Sequence, residues 1–131
     1  MSQQAHPLEG VSYQNIPTST SLSIIYFNAR SLLPKIDELR AIAEADSPNI
    51  LCVVESWLSN DISDNELAID QYQILRLDRD RHGGGVLMYV HCSLSPKVLS
   101  AGDHSLELLI VSVSPVGSIC ISLFYRPPSS S

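Results

Sequence analysis

Two short apolar runs separated by a helical repeat constrain this chain more than any other feature. Residues Leu22–Phe27 (LSIIYF) and Ile50–Val54 (ILCVV) are almost continuous in apolar, β-branched and aromatic side chains, the pattern of strands covered on both faces. Between them Pro34 is suited to open a helix, because its missing N–H would be unpaired in the first turn anyway. Ile36, Leu39, Ile42 and Ala43 then recur at helical spacing, with Asp37, Glu38, Arg40 and Glu44 turned outward, and Asp46-Ser47-Pro48 ends the helix. Strand, helix and strand predict a right-handed βαβ unit with two parallel strands.

From Trp57 to Asp70 the chain turns acidic and irregular, and then the pattern changes to short strands without helical spacers, at about 71–76, 86–90, 106–113 and 118–125. They are expected to make the sheet mixed. Gly83-Gly84-Gly85, Ser95-Pro96 with Gly102, and Pro115 with Gly117 mark turns. Residues 1–20, rich in Gln, Ser, Thr and Pro, read as a flexible leader, which leaves residues 21–131 as the folded domain. With 44% hydrophobic and 17% charged residues, a chain of 131 residues is a single compact domain with a core, not a disordered segment.

Fourteen acidic against eight basic residues give a net charge of −6, which excludes a polybasic clamp for nucleic acid or anionic membrane; any such contact must be local. Cys52, Cys92 and Cys120 are odd in number and widely spaced, fit neither a disulfide framework nor a zinc site, and read as reduced core thiols. No signal-type N-terminus and no membrane-length apolar stretch is present, so the expected setting is intracellular, nuclear or cytoplasmic, not secreted, with no membrane partner.

Three polar side chains end apolar strands: Asn28, Glu55 and Tyr125. In sheets built from βαβ units, ligands gather beyond the carboxyl ends of the strands. Neighbouring strands lie about 4.8 Å apart, so Asn28 and Glu55 can share one ion or phosphate if their strands are adjacent. A carboxylate with an amide oxygen is hard-oxygen ligation suited to Mg2+, which borrows phosphate oxygens from its substrate. Each residue also has a plainer reading: Glu55 as a partner for Arg30 or a turn cap, Asn28 as a backbone cap, Tyr125 as a packing tyrosine. The basic residues add weight, since Arg30 follows Asn28, Arg126 follows Tyr125, and Arg76, Arg79 and Arg81 share one short stretch. Such clustering offers a local surface for an anionic ligand, or else balances Asp78 and Asp80 on a solvated turn.

Four ordered segments carry a family resemblance: FNARSL at 27–32, VESWL at 54–58, RLDRDRHGGGV at 76–86 and LFYRPP at 123–128. Together they resemble successive motifs of the endonuclease/exonuclease/phosphatase family, and more narrowly the endonuclease domain of non-LTR (LINE-type) retrotransposon polyproteins. The resemblance implies a deoxyribonuclease I-like α/β fold, the N-terminal half of a four-layer α/β sandwich with a mixed β-sheet, truncated at its C-terminal side. It also implies a phosphodiesterase that nicks DNA with Mg2+ (or Mn2+). Asn28 matches the active-site asparagine that orients the scissile phosphate, Glu55 the metal-ligating glutamate, and Tyr125 the tyrosine that contacts the phosphate. Arg30, Arg79, Arg81 and Arg126 are then the expected contacts to DNA phosphates. His82 and the three glycines match a segment that is structural first and DNA-facing second.

Family members carry, after the tyrosine strand, an Asp-x-Asn pair, a later aspartate and a terminal Ser/Thr-Asp-His segment, and these do not follow Tyr125 here. Asp103-His104-Ser105 precedes the tyrosine motif and is not accepted in their place. The expectation is therefore an incomplete active site with little or no turnover by the isolated chain, and self-association through an exposed sheet face.

Overall fold

The computed structural model describes residues 11–16, 22–79, 83–102, 107–114 and 119–125. Its elements in chain order are β1 (Val11–Ile16), β2 (Leu22–Asn28), a 3-10 turn (Leu33–Lys35), α1 (Ile36–Asp46), β3 (Ile50–Val54), α2 (Asp64–Leu67), β4 (Tyr72–Leu77), β5 (Val86–His91), β6 (Ser95–Ala101), β7 (Glu107–Ser114) and β8 (Ile119–Tyr125). One mixed sheet has the order β1-β2-β3-β5-β4, and a second sheet has the order β6-β7-β8. Strands β2 and β3 run parallel and every other pairing is antiparallel.

Alternation along the central strands divides the core in two. Ile25, Phe27, Leu51, Val53, Leu87 and Tyr89 face one way and pack with Leu39, Ile42 and Ala43 of α1. Leu22, Ile50, Cys52, Val54, Val86, Met88 and Val90 face the other way, onto Leu109, Val111, Val113, Ile121 and Leu123 of the second sheet. Helix, five-stranded sheet and three-stranded sheet thus stack as layers, which explains why β2 and β3 carry apolar residues on both faces. Pro34 sits in the 3-10 turn that leads into α1. Ser47 ends the helix in the left-handed region (φ 46°), and its N–H donates to the Ala43 carbonyl at 2.9 Å. Asn49 then fixes the start of β3: its Oδ1 accepts from Ser23 N–H at 2.8 Å, and its own N–H donates to the Ser23 carbonyl at 3.0 Å.

Four expectations need correction. Residues 11–16, placed in a flexible leader, form β1, an edge strand paired with β2; its short, largely polar sequence hides the alternation of a strand. The later strands do not all extend one sheet, because β6–β8 form a separate sheet that covers the other face of the first. Ser95-Pro96, read with Gly102 as marking a turn, instead opens strand β6 (Ser95–Ala101), with Pro96 tolerated at a sheet edge and a register shift between Val98 and Ser100. Of the three thiols, only Cys52 is in the core; Cys92 and Cys120 are exposed, the first in the turn after β5 and the second on the outer face of β8. Among the described residues no helix is long and apolar enough to cross a membrane.

Burial pushes the Cys52 thiol up to about 12, so it stays protonated at neutral pH and reacts slowly with disulfide reagents. Because its folded value lies above the unfolded one, the neutral thiol supports folding below the ordinary thiol range, and this support is lost as pH rises through the elevated value. The expected outcome at pH 8 is two rapidly titrating thiols, Cys92 and Cys120, and a third that appears only on unfolding. Three equally fast thiols in folded protein would contradict the packing of β3 against the second sheet.

Candidate active site

The parallel register of β2 and β3 builds the site. Asn28 stands opposite Val54, so the two strands finish level and Glu55 leaves β3 beside Asn28. The backbones remain joined beyond the strands: Ala29 N–H donates to the Val54 carbonyl at 2.9 Å, and Ser31 and Leu32 donate to the carbonyls of Glu55 and Ser56, each at 3.0 Å. Asn28 Nδ2 donates to Glu55 Oε2 at 3.0 Å. From the second sheet, Tyr125 at the end of β8 brings its hydroxyl to the same carboxylate. Burial, the hydrogen bond to Glu55 and the charges of Glu55 and Glu107 raise the Tyr125 phenol above its ordinary range, while Arg79 acts in the opposite sense. Tyr125 is therefore a neutral donor. Asn28, Glu55 and Tyr125, chosen because they end strands, come together from three strands of two sheets. Tyr26, on the same face of β2 as Asn28, also senses Glu55: burial, and then that negative charge, raise its phenol.

The arginines divide. Arg76 is engaged within the protein, donating to Asp64, to both carboxylate oxygens of Asp78, and to the carbonyls of Ile62 and Ser59. It ties the acidic segment to β4, and so does not belong with an anion-binding group. Arg79 is half-exposed, with Nη1 3.7 Å from Glu107 Oε2. Arg30 is exposed, has φ 46°, and makes no ion pair among the described residues. Arg81, Arg126, His82 and the Asp103-His104-Ser105 segment lie outside the described residues.

Glu107 was not singled out by its sequence position, yet the structure places it at the site. It opens β7 directly opposite Tyr125 in the register. The signal was present in the alternation: Glu107, Leu109, Val111 and Val113 share the buried face, so a carboxylate occupies the first position of an otherwise apolar row. Its side chain is 5% exposed, and Oε1 accepts from Gly85 N–H at 2.7 Å.

Buried polar groups without partners collect in the same place. Among the described residues, the side-chain atoms that are buried and lack a hydrogen-bond partner are Asn28 Oδ1, Ser56 Oγ, Trp57 Nε1 and Glu107 Oε2. Each such atom costs about 1–3 kcal/mol, which a fold tolerates where function requires it. Backbone strain collects there too: of the non-glycine residues with positive φ, Arg30, Ser31, Glu55 and Trp57 flank the site.

No three His, Cys, Asp or Glu side chains gather to cage a metal among the described residues. Glu55 with the partnerless Asn28 Oδ1 is nonetheless a hard-oxygen pair, and it fits an Mg2+ or Mn2+ ion that takes its remaining ligands from water and phosphate. His91 lies at the far end of β5, since Val86 pairs with Val54 and Val90 with Ile50; it supplies no imidazole here.

Solved structures share this architecture, among them two AP endonucleases. An AP endonuclease from Archaeoglobus fulgidus superposes with a TM-score of 0.65 at 20% sequence identity, over 79% of this chain and 40% of that one. The AP endonuclease LMAP from Leishmania major gives 0.58 at 22% identity, over 81% of this chain and 40% of that one. The chain therefore has the mixed α/β, deoxyribonuclease I-like fold of these enzymes, and spans less than half of their length. No protein-family model and no curated protein matches it.

Stability and site conflict at two neighbouring positions. Ser56→Ala removes a fully buried hydroxyl that has no partner and is expected to raise stability by about 1 kcal/mol. Gly85→Ala puts a methyl group against Ser56 Oγ at φ 93° and is expected to lower it by about 2 kcal/mol. Urea unfolding of both variants checks the pair; a destabilised Ser56→Ala would mean that its hydroxyl has an internal partner.

Proposed function

We propose that this chain forms part of a divalent-metal-dependent phosphodiesterase that nicks DNA, an endonuclease of the endonuclease/exonuclease/phosphatase family and of the non-LTR retrotransposon branch. The observation that carries the proposal is the convergence of Asn28, Glu55 and Tyr125 on one point where buried polar atoms lack partners. The likeness to AP endonucleases in fold supports it, and the four motif segments support the narrower retroelement assignment. Glu55 and Asn28 would hold Mg2+ or Mn2+, which when bound neutralises charge on the scissile phosphate. Asn28 fixes the Glu55 carboxylate through Nδ2, Tyr125, held beside Glu55 in the free chain, would turn its neutral hydroxyl to a phosphate oxygen when substrate binds, and Arg79, with Arg30, Arg81 and Arg126, would meet the DNA backbone. The described residues bring no general base to activate water, so the isolated chain is expected to turn over slowly or not at all.

A second reading, a non-catalytic module that binds nucleic acid weakly or self-associates, draws on the outer face of the second sheet. There Phe124 is 52% exposed and lies opposite the half-buried Leu108. Sedimentation showing a monomer at all concentrations would remove the self-association arm.

Supercoiled-plasmid nicking tests the first reading. The expected outcome is salt-dependent DNA binding with little nicking by this chain, and Mg2+-dependent nicking once the chain is extended with the family's second half. Glu55→Gln is expected to lower that nicking by at least about a hundredfold. Undiminished nicking by Glu55→Gln would sink the assignment. Arg79→Ala is expected to weaken DNA binding and flatten its salt dependence by about one phosphate contact; an unchanged slope would place Arg79 away from DNA.

A further inference from the structure

We infer that Glu107 is a positioning residue that sets the Glu55 loop through the backbone of Gly84 and Gly85. The pair of glycines lies between two layers. On one side Ser56 N–H donates to the Gly85 carbonyl at 3.2 Å and Trp57 N–H donates to the Gly84 carbonyl at 2.9 Å. On the other side Glu107 Oε1 accepts from Gly85 N–H at 2.7 Å. The fit leaves no room for a side chain: a Cβ on Gly84 would strike Glu107 Oε2 and Arg79 Cδ, and one on Gly85 would strike Ser56 Oγ. Both glycines have positive φ, 70° and 93°, a conformation that L side chains rarely adopt.

Glu107 therefore presses the diglycine segment onto residues 55–57, which hold positive φ at Glu55 and Trp57. A strained loop keeps one conformation only where its surroundings over-determine it, and these hydrogen bonds supply that constraint. Glu107 does so from the second sheet, so the contact also ties β7 to the end of β3. Its other oxygen, 3.7 Å from Arg79 Nη1, is too distant for a hydrogen bond and attracts the guanidinium by charge alone, while the aliphatic part of Arg79 lies against Gly84.

The inference rests on the Glu55 metal-site reading for its functional consequence, but not for its structural one. A clamp needs the reach and the acceptor oxygen of residue 107, whereas a direct charge role needs the charge. Glu107→Gln keeps reach and acceptor and loses charge; Glu107→Asp keeps charge and loses reach. In amide hydrogen exchange, Glu107→Asp is expected to speed exchange at Gly85, Ser56 and Trp57 by about tenfold or more while the β2–β3 ladder is unchanged, and Glu107→Gln to remain near wild type. Mn2+ titration of the 131-residue chain is expected to follow the same pattern, with a dissociation constant raised about tenfold in Glu107→Asp alone. Any other pattern across the two variants in the exchange data overturns the clamp. So does Gly85 exchange in the unmodified chain as fast as an exposed loop amide, a measurement that needs no variant. The metal reading fails separately, if wild type binds no Mn2+ or if Glu55→Gln binds it equally well.

Discussion

The parallel pairing of β2 with β3 is the constraint on which the rest of the structure depends. It places Asn28 level with Val54, and so Glu55 beside Asn28. Side chains alternate between faces with a period of two, so a slip of one residue would exchange the two cores and turn Asn28 away from the second sheet. The register is held at both ends: by Asn49 and Ser23 where β3 begins, and by the bonds from Ala29, Ser31 and Leu32 where it finishes. The helix between the strands makes this parallel arrangement possible and covers one face of it.

The second sheet has two roles that its sequence alone does not separate. Leu109, Val111, Val113, Ile121 and Leu123 complete a hydrophobic core. At one end of the same buried face, Glu107 and Tyr125 replace apolar side chains with polar ones. Apolar burial along most of each strand holds the strand in place, and the polar residues at its end are carried to the site by that packing. Their cost is local, which is why partnerless polar atoms and left-handed backbone cluster there rather than throughout the protein.

How much was legible in the sequence follows from the range of the forces involved. The apolar runs of β2 and β3 and the spacing of α1 are local patterns, and they form where expected. Asn28, Glu55 and Tyr125 were legible as polar residues that end such runs, and the structure brings them together. The division into two sheets was legible only through the family resemblance and its layered sandwich, because period-two alternation identifies a buried face without naming what covers it. Strand β1 depends on pairing with β2 and carries little apolar signal of its own. For Arg76 the pairing with Asp78 was one of the two readings open in the sequence, whereas its partners at Ser59, Ile62 and Asp64 lie at least twelve residues away and left no local signal. Glu107 contacts Gly85 across a separation of 22 residues, so its alternation showed burial but not its partner.

The charge balance at the site limits how it can work. Tyr125 lies within the influence of two carboxylates, Glu55 and Glu107, and one guanidinium, Arg79. With a net charge of −6 over the whole chain, a phosphodiester approaching this point meets repulsion unless positive charge arrives with it or is gathered around it. Arg79 is partly held by Glu107, and Arg76 is neutralised by Asp64 and Asp78, so neither supplies a full free charge. On the proposed function that positive charge would come from the exposed Arg30 and from a divalent ion, which would serve phosphate binding as well as chemistry. On that proposal Glu55 would be the carboxylate that meets the ion, with Asn28 and Tyr125 beside it. Glu107, with one oxygen on Gly85 and the other facing Arg79, is committed to holding the surrounding loop.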